Sequence, residues 1–424
     1  MSKAHLMLPE QISVFICRAE KEKGIPAISV FQYLLCLIFA DRSMFMQIRT
    51  NTFKTSFSKN TVYRFLNSAK TNWLRFTTIL SEMVVNQFMR NLTSEQREDA
   101  FIIDDTLYAK AGYKKSELVS KVFDHVTMKY KKGFRLLTLG WGDGNSFVPI
   151  NFALLASSNE ENVLGPHRDF DKRSLAGHRR KQAQSKATDV LVDLLKTAIH
   201  AGHSAKNVLF DTWFSTPKTI CRIKAECNLD TIAMIKKSSR IKYEWNGKKY
   251  DIKEIYSHNK KRCGRSRYLL SVLVNVTAQS DDGAPITIPA KIVYVRNTKK
   301  KKDWGALICS NTELSEEDII RIYGKRWQTE VFYKTCKSWL KLAKECHGLS
   351  YDALTAHVSL VFTRYMLLSI VQRKSEDPRS LCELFYVLCD ELADITYNES
   401  MRIIVEAMLE SIKNIFSITD EQFE

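Results

Sequence analysis

Two short apolar runs that end in aspartate constrain the fold of this chain more than any other feature. Ala100–Ile103 (AFII) runs into Asp104-Asp105-Thr106, and Asn207–Phe210 (NVLF) runs into Asp211. Short apolar runs bounded by polar residues read as buried strands. Helices surround the second run. In Ala187–Gly202, Val190, Leu191, Leu194, Leu195 and Ile199 recur at helical spacing, and Pro217–Cys227 leads into a strand at Thr231–Ile235. Phe134–Gly140 and Ser146–Leu155 predict two further strands beside the first, antiparallel across the turn Gly142-Asp143-Gly144-Asn145. The alternation predicts an α/β architecture, in which functional groups cluster beyond strand ends that hold them rigidly.

A third acid sits on a helix. Ser315–Leu342 (SEEDIIRIYGKRWQTEVFYKTCKSWLKL) predicts one continuous helix, capped by Ser315, with Glu316, Glu317 and Asp318 in its first turn and lysines towards its end. Tyr323, Arg326, Glu330 and Lys337 fall within about 60° of one another on the helical wheel. Phe332, Cys336 and Trp339 project from the opposite side as a buried stripe. One carboxylate therefore stands in a row of phosphate-seeking groups. Taken alone, the segment also fits an ordinary amphipathic helix with a mixed charged face.

The charge balance favours a polyanionic partner. Sixty-four basic against 47 acidic residues give a formal charge of +17, and nucleic acid is the commonest match for such a chain. Ten cysteines without a CxxC pair predict reduced thiols and a cytoplasmic protein, and no zinc-ligand pattern is present. The first residues lack a signal-peptide pattern, and no uninterrupted apolar run reaches membrane-spanning length; Arg364 breaks Val358–Val371. No membrane partner is expected.

The remainder reads as flanks and basic loops. Residues 1–95 are mostly helical, with Gln11–Lys23 and the apolar Ile28–Ala40. A helix from Ser58 through Leu66 fits either the recognition helix of a helix-turn-helix unit or a plain helical hairpin. Ser157–Lys186, with HRDFDKR and GHRRKQAQSK, reads as a basic loop, mobile or ordered by nucleic acid. Residues 238–311 are β-rich and carry KKRCGRSR at 260–267 and four lysines at 299–302. Residues 346–424 form a helical C-terminal region. Trp213 is expected in the core, with stacking on an extruded base as its other role. Asp124, His125 and Asp143 are expected in turns or on the surface.

Three hard oxygen donors with no neighbouring His or Cys suit Mg²⁺ or Mn²⁺. Two such ions would activate a water or 3′-hydroxyl and stabilise the leaving oxygen of an in-line phosphodiester displacement. Here the residues carry a resemblance. Tyr323-x2-Arg326-x3-Glu330-x6-Lys337 resembles the signature of DDE transposases of the insertion-sequence-four family. IIDDT at 102–106, VLFDTWF at 208–214 and the run from Lys131 to Gly144 are similar to that family's aspartate strands and the strands between them. The resemblance spans about residues 98–345. It implies an RNase H-like catalytic domain with a β-rich insertion at about 238–311, flanked by a DNA-binding helical region (1–95) and a C-terminal region (346–424) that could dimerise. It implies cut-and-paste transposition on double-stranded DNA, at terminal inverted repeats and a target, by a homodimer in a bacterial or archaeal cytoplasm. Asp104, Asp211 and Glu330 are then catalytic metal ligands for two ions. Asp105 is the adjacent alternative to Asp104, with the Asp-x-Thr spacing favouring Asp104. Tyr323, Arg326, Lys337 and the accessory Lys334 would contact phosphate. The alternatives are a DNA-binding protein of this descent without catalysis, and a related metal-dependent nuclease.

Overall fold

The computed structural model describes residues 25–393 apart from 41–42, 93–97, 125–126, 265, 281, 298–302, 346 and 375–379. The expected helix Gln11–Lys23, His125, the lysines at 299–302 and the helical stretch after 393 lie outside the described residues.

Four helices come first: α1 (Ala27–Cys36), α2 (Met44–Arg49), α3 (Lys59–Leu66) and α4 (Trp73–Met83), the last widening into a π-turn over Val84–Met89. Strands β1 (Ala100–Ala109), β2 (Ser120–Asp124), β3 (Lys129–Gly142) and β4 (Phe147–Leu155) follow. Then come α5 (Leu175–Ala183), α6 (Ala187–His200), β5 (Asn207–Phe210), α7 (Pro217–Cys227) and β6 (Asp230–Met234). The β-rich stretch contributes β7 (Tyr243–Trp245), β8 (Lys248–Tyr250), α8 (Ile252–His258), β9 (Tyr268–Gln279), β10 (Pro285–Arg296) and β11 (Trp304–Cys309). The chain continues through α9 (Glu316–Gly324), α10 (Gln328–Ser338), α11 (Tyr351–Lys374) and α12 (Leu381–Ala393).

The strands join one mixed sheet in the order β2-β3-β1-β5-β6-β11-β10-β9-β7-β8, with β4 also on β3. β1, β5 and β6 are parallel, as right-handed α/β crossovers require, and β3 runs antiparallel to both β1 and β4. This is an α/β, RNase H-like fold with helices at both ends. The strands of 238–311 extend the same sheet, because β11 pairs antiparallel with the edge of β6 and brings β10 and β9 with it.

Three local expectations are corrected. Asp104 and Asp105 lie inside β1, not at its end: β3 gives every residue from Ala100 to Ala109 a partner, so the strand runs on. The predicted single helix 315–342 is two, α9 and α10, joined by a 3-10 turn at Lys325–Trp327, and it ends at Ser338. The basic segment 157–186 is not a loop throughout. Ser174 caps α5, and Arg179 and Arg180 of its GHRRK sequence are buried. Arg180 forms ion pairs with Glu117 (2.6 Å) and Asp352 (2.9 Å), and Arg179 with Asp352 (2.6 Å), tying α5 to α11 and to the segment before β2.

Tyr351–Arg373 is long and apolar enough to cross a membrane by length and composition, but 89% of its most apolar window is buried in the protein. It is the core helix, packed on α4 and β4. Arg364, the charge that breaks its apolar run, is buried where it can donate to Leu34 and Leu35 carbonyls at the end of α1 and pair with Glu345 at 2.6 Å. A buried cation facing helix C-terminal carbonyls is electrostatically favourable.

Removing Arg180 leaves buried Glu117 with the more distant Arg168 and the Tyr351 N–H, and halves the countercharge on Asp352. Arg180→Ala is expected to cost about 3–5 kcal/mol, read as a lowered urea midpoint, because an uncompensated buried charge remains.

Candidate active site

The parallel register of β1 and β5 pairs Ile102 with Leu209. Asp104 and Asp211 each lie two residues further on, so Asp104 on β1 and Asp211 directly beyond the end of β5 stand level. Side chains alternate along a strand, which sends Asp104 and Asp105 to opposite faces. Asp105 pairs with Arg135 on β3 at 2.5 Å. Asp104 turns to the helix pair. Its Oδ2 accepts from Thr329 Oγ1 at 2.6 Å and lies 3.3 Å from Arg326 Nη1; its backbone carbonyl accepts from Tyr333 Oη at 3.1 Å.

The helix pair docks because its back is apolar and the sheet leaves room. Phe332 and Cys336 are fully buried. Phe332 packs its ring 4.8 Å from Phe147, 5.2 Å from Phe362 and 4.7 Å from Tyr365. Phe147 fits because Gly140 is a glycine: a Cβ there would stand 2.2 Å from the Phe147 ring. Gly142 leaves the same kind of room for Gln328 of α10 and Ile102 of β1. Lys325, in the 3-10 turn, donates to the Glu98 carbonyl just before β1. With its back fixed, α10 presents Glu330, whose Oε1 lies 3.4 Å from Arg326 Nη2. Arg326 thus joins Asp104 to Glu330.

The expected residues are therefore brought together unequally. Asp104, Arg326 and Glu330 are in direct contact, and Asp211 acts on Asp104, Tyr323 and Arg326 through its charge. Tyr323 places its ring 6.0 Å from the Arg326 guanidinium. Lys337 is one step away, donating to Thr106 Oγ1. Lys334 is exposed, outside this contact group. Trp213, expected in the core, is 48% exposed with the Arg135 guanidinium 4.9 Å from its ring. Asp143 holds its turn as expected, but buried, and pairs with Arg373 of α11 at 3.0 Å. Asp124 pairs with Lys131 at 2.7 Å.

Sequence reasoning missed Thr329, Tyr333, Arg135 and Thr106. Thr329 lies on the wheel beside the Arg326 row and was legible there. Arg135 needed the β1–β3 register, which no spacing supplies.

Burial raises the Asp104 carboxyl above its usual range, and Asp211 adds repulsion, against Thr329, Arg326 and the Asp105 N–H. Burial lifts Asp105 further, to about 6, although Arg135 opposes it. Burial also takes Tyr323 to about 12, so its hydroxyl stays protonated and can donate to an anion. For Lys337, burial lowers the ammonium pKa and the charge of Asp124 opposes the shift.

Asp104, Asp211 and Glu330 offer only hard oxygens, a donor set that fits Mg²⁺ or Mn²⁺. Among the described residues no three acids, histidines or cysteines are already gathered tightly enough to hold a metal. The guanidinium of Arg326 stands between Asp104 and Glu330, marking where positive charge is favoured.

A sequence profile described as DDE superfamily endonuclease matches residues 33–276, more than half of the chain. The matched part contains Asp104, Asp105 and Asp211 and stops before α9 and α10, so Glu330 and its neighbours rest on geometry. No curated protein is significantly similar to the chain.

Calorimetric titration with Mn²⁺ is expected to show binding that Asp104→Asn and Asp211→Asn each weaken at least about tenfold, whereas Asp105→Asn retains it. Because Asp104 titrates above the ordinary carboxylate range, protons compete with the metal at a higher pH than usual. Affinity should accordingly fall on acidification earlier than at a solvent-exposed carboxylate site.

Proposed function

The chain belongs to the DDE superfamily endonucleases, and from that membership we propose that it is a cut-and-paste transposase of the insertion-sequence-four family, acting as a homodimer on double-stranded DNA at terminal inverted repeats. The observation that carries this reading is the junction of Asp104, level with Asp211 across β1 and β5, to Glu330 through Arg326. Enzymes of this superfamily generally use divalent metals. Asp104, Asp211 and Glu330 would hold Mg²⁺ or Mn²⁺, which supplies Lewis-acid activation of the attacking oxygen and stabilises the leaving one.

The chain's own residues do the positioning. Arg326 is a bidentate donor whose fork matches a phosphate as well as the two carboxylates it now joins. With those carboxylates committed to a metal, the Arg326 guanidinium would be free to take a phosphate of the substrate backbone. Tyr323 keeps its proton and donates to a phosphate oxygen. Lys337, held by Thr106, supplies a fixed cation one step along, and Lys334 an accessory one at the surface. Thr329 fixes the Asp104 carboxyl through its hydroxyl. Residues 1–95 are proposed to bind the element ends and 346–424 to join two copies, as synapsis of two ends requires.

Purified protein with Mg²⁺ is expected to cut and rejoin DNA carrying the inverted repeats that flank its gene. Asp211→Ala should abolish cleavage while gel-shift binding of the same DNA survives. Cleavage by that variant at the same sites would remove Asp211 from the site. Arg326→Ala and Lys337→Ala should each lower the single-turnover cleavage rate about 10²-fold or more, as expected for lost contacts to the scissile phosphate.

A further inference from the structure

The sheet end that carries Asp211 also carries cations that the catalytic reading leaves unused. β6 finishes there at Met234 and is followed by Lys236 and Lys237. β11 runs antiparallel to β6, so its first residue, Trp304, lies at that end. By the same alternation β10 finishes there at Arg296, and β9 begins there, directly after Arg267. The segment before β9 returns Arg262 to the same place, its N–H donating to the Leu269 carbonyl at 2.7 Å.

Several of these cations are laid on aromatic rings. Lys237 Nζ is 4.1 Å from the Trp304 ring centre, Lys261 Nζ 4.6 Å from Tyr256, and the Arg262 guanidinium 4.3 Å from Tyr268. Tyr256 and Trp304 stack at 4.7 Å, so two of the cations share one aromatic pair. Arg296 donates to the Ser266 and Arg262 carbonyls at 3.0 and 3.2 Å. Lys237 is balanced by Asp303. Among the described residues, Lys261, Arg262 and Arg296 instead direct their hydrogen bonds and ring contacts to neutral groups. Glu316, an acid that feels Arg262, lies 4.0 Å from Lys291. A cation already ordered by a ring loses less side-chain freedom when a phosphate arrives.

We propose that Lys236, Lys237, Lys261, Arg262, Arg267 and Arg296 form a phosphate track for the backbone of duplex DNA running from the catalytic acids along this sheet end. Four strand steps separate β5 from β9, roughly 19 Å at the usual strand spacing, which is the axial length of five to six base pairs. The track rests on the reading that the substrate is DNA.

The test is the salt dependence of binding to a duplex of about 30 base pairs, followed by fluorescence anisotropy in the Asp211→Ala background so that the DNA stays intact. Combining Lys261→Gln, Arg262→Gln and Arg296→Gln keeps aliphatic stems over the rings. It is expected to reduce the slope of log K against log salt by roughly 2–3 and to weaken binding at least about tenfold near 0.1 M salt. Lys206→Gln and Lys224→Gln, at the opposite sheet end beside the first residues of β5 and β6, should change neither. An unchanged slope in the first set, or an equal loss in the second, overturns the track while leaving the catalytic reading intact. Absence of DNA binding by the parent protein overturns both. Urea midpoints of both sets compared with the parent separate loss of contacts from loss of fold.

Discussion

The placement of Glu330 at the site depends on how Phe332 packs. It is fully buried among Phe147, Phe362 and Tyr365, and that packing fixes α10 between the sheet and α11. Gly140 makes the packing possible by leaving the volume that Phe147 occupies. Glu330 is two residues before Phe332 and projects from another side of the same helix, so burying one aims the other. A side chain larger than hydrogen at Gly140 would push Phe147 and, through it, the helix that carries the third acid. The geometry of the proposed site is thus tied to core packing, in which few alternative arrangements fit at native density.

The acids themselves oppose folding. Asp104 and Asp105 are half-buried next to one another and within reach of the charge of Asp211, and the loss of solvent raises both above their ordinary range. Arg326, Arg135 and Thr329 offset this only in part. Concentrated, incompletely compensated negative charge on rigid elements is what a divalent cation relieves on binding, and functional sites commonly keep such perturbed groups. The two arginines differ in their use. Arg135 is committed to Asp105 and the face of Trp213, whereas Arg326 bridges Asp104 on β1 and Glu330 on α10.

Much of this was legible in the residues. The strands at 100–103 and 207–210 and the antiparallel pair at 134–155 follow from local pattern, and each is a real element of the structure, whereas Tyr323, Arg326, Glu330 and Lys337 are spread over two helices and the turn between them. What local pattern could not give was pairing. β1 runs through Asp105 because β3 completes its hydrogen bonds, and Trp213 is held outside by Arg135, a contact between separate strands and loops. Arg179 and Arg180 looked like solvated charge because their buried partners, Glu117 and Asp352, are far away in sequence. The 3-10 turn at Lys325–Trp327 directly follows Gly324, a weak helix former, and coincides with the lysine drawn onto Glu98 and the arginine drawn onto Asp104.

Asp104, Asp211 and Glu330 are proposed to share one divalent-cation site. Fe²⁺ placed in a Mg²⁺ site generates hydroxyl radicals that cut the backbone only close to the bound ion. Iron-loaded protein treated with ascorbate and peroxide should yield fragments ending near residues 104, 211 and 330, and excess Mg²⁺ should suppress all three together. Cuts near 104 and 211 without one near 330, or three that Mg²⁺ suppresses independently, would contradict a single site and detach the helix from the metal.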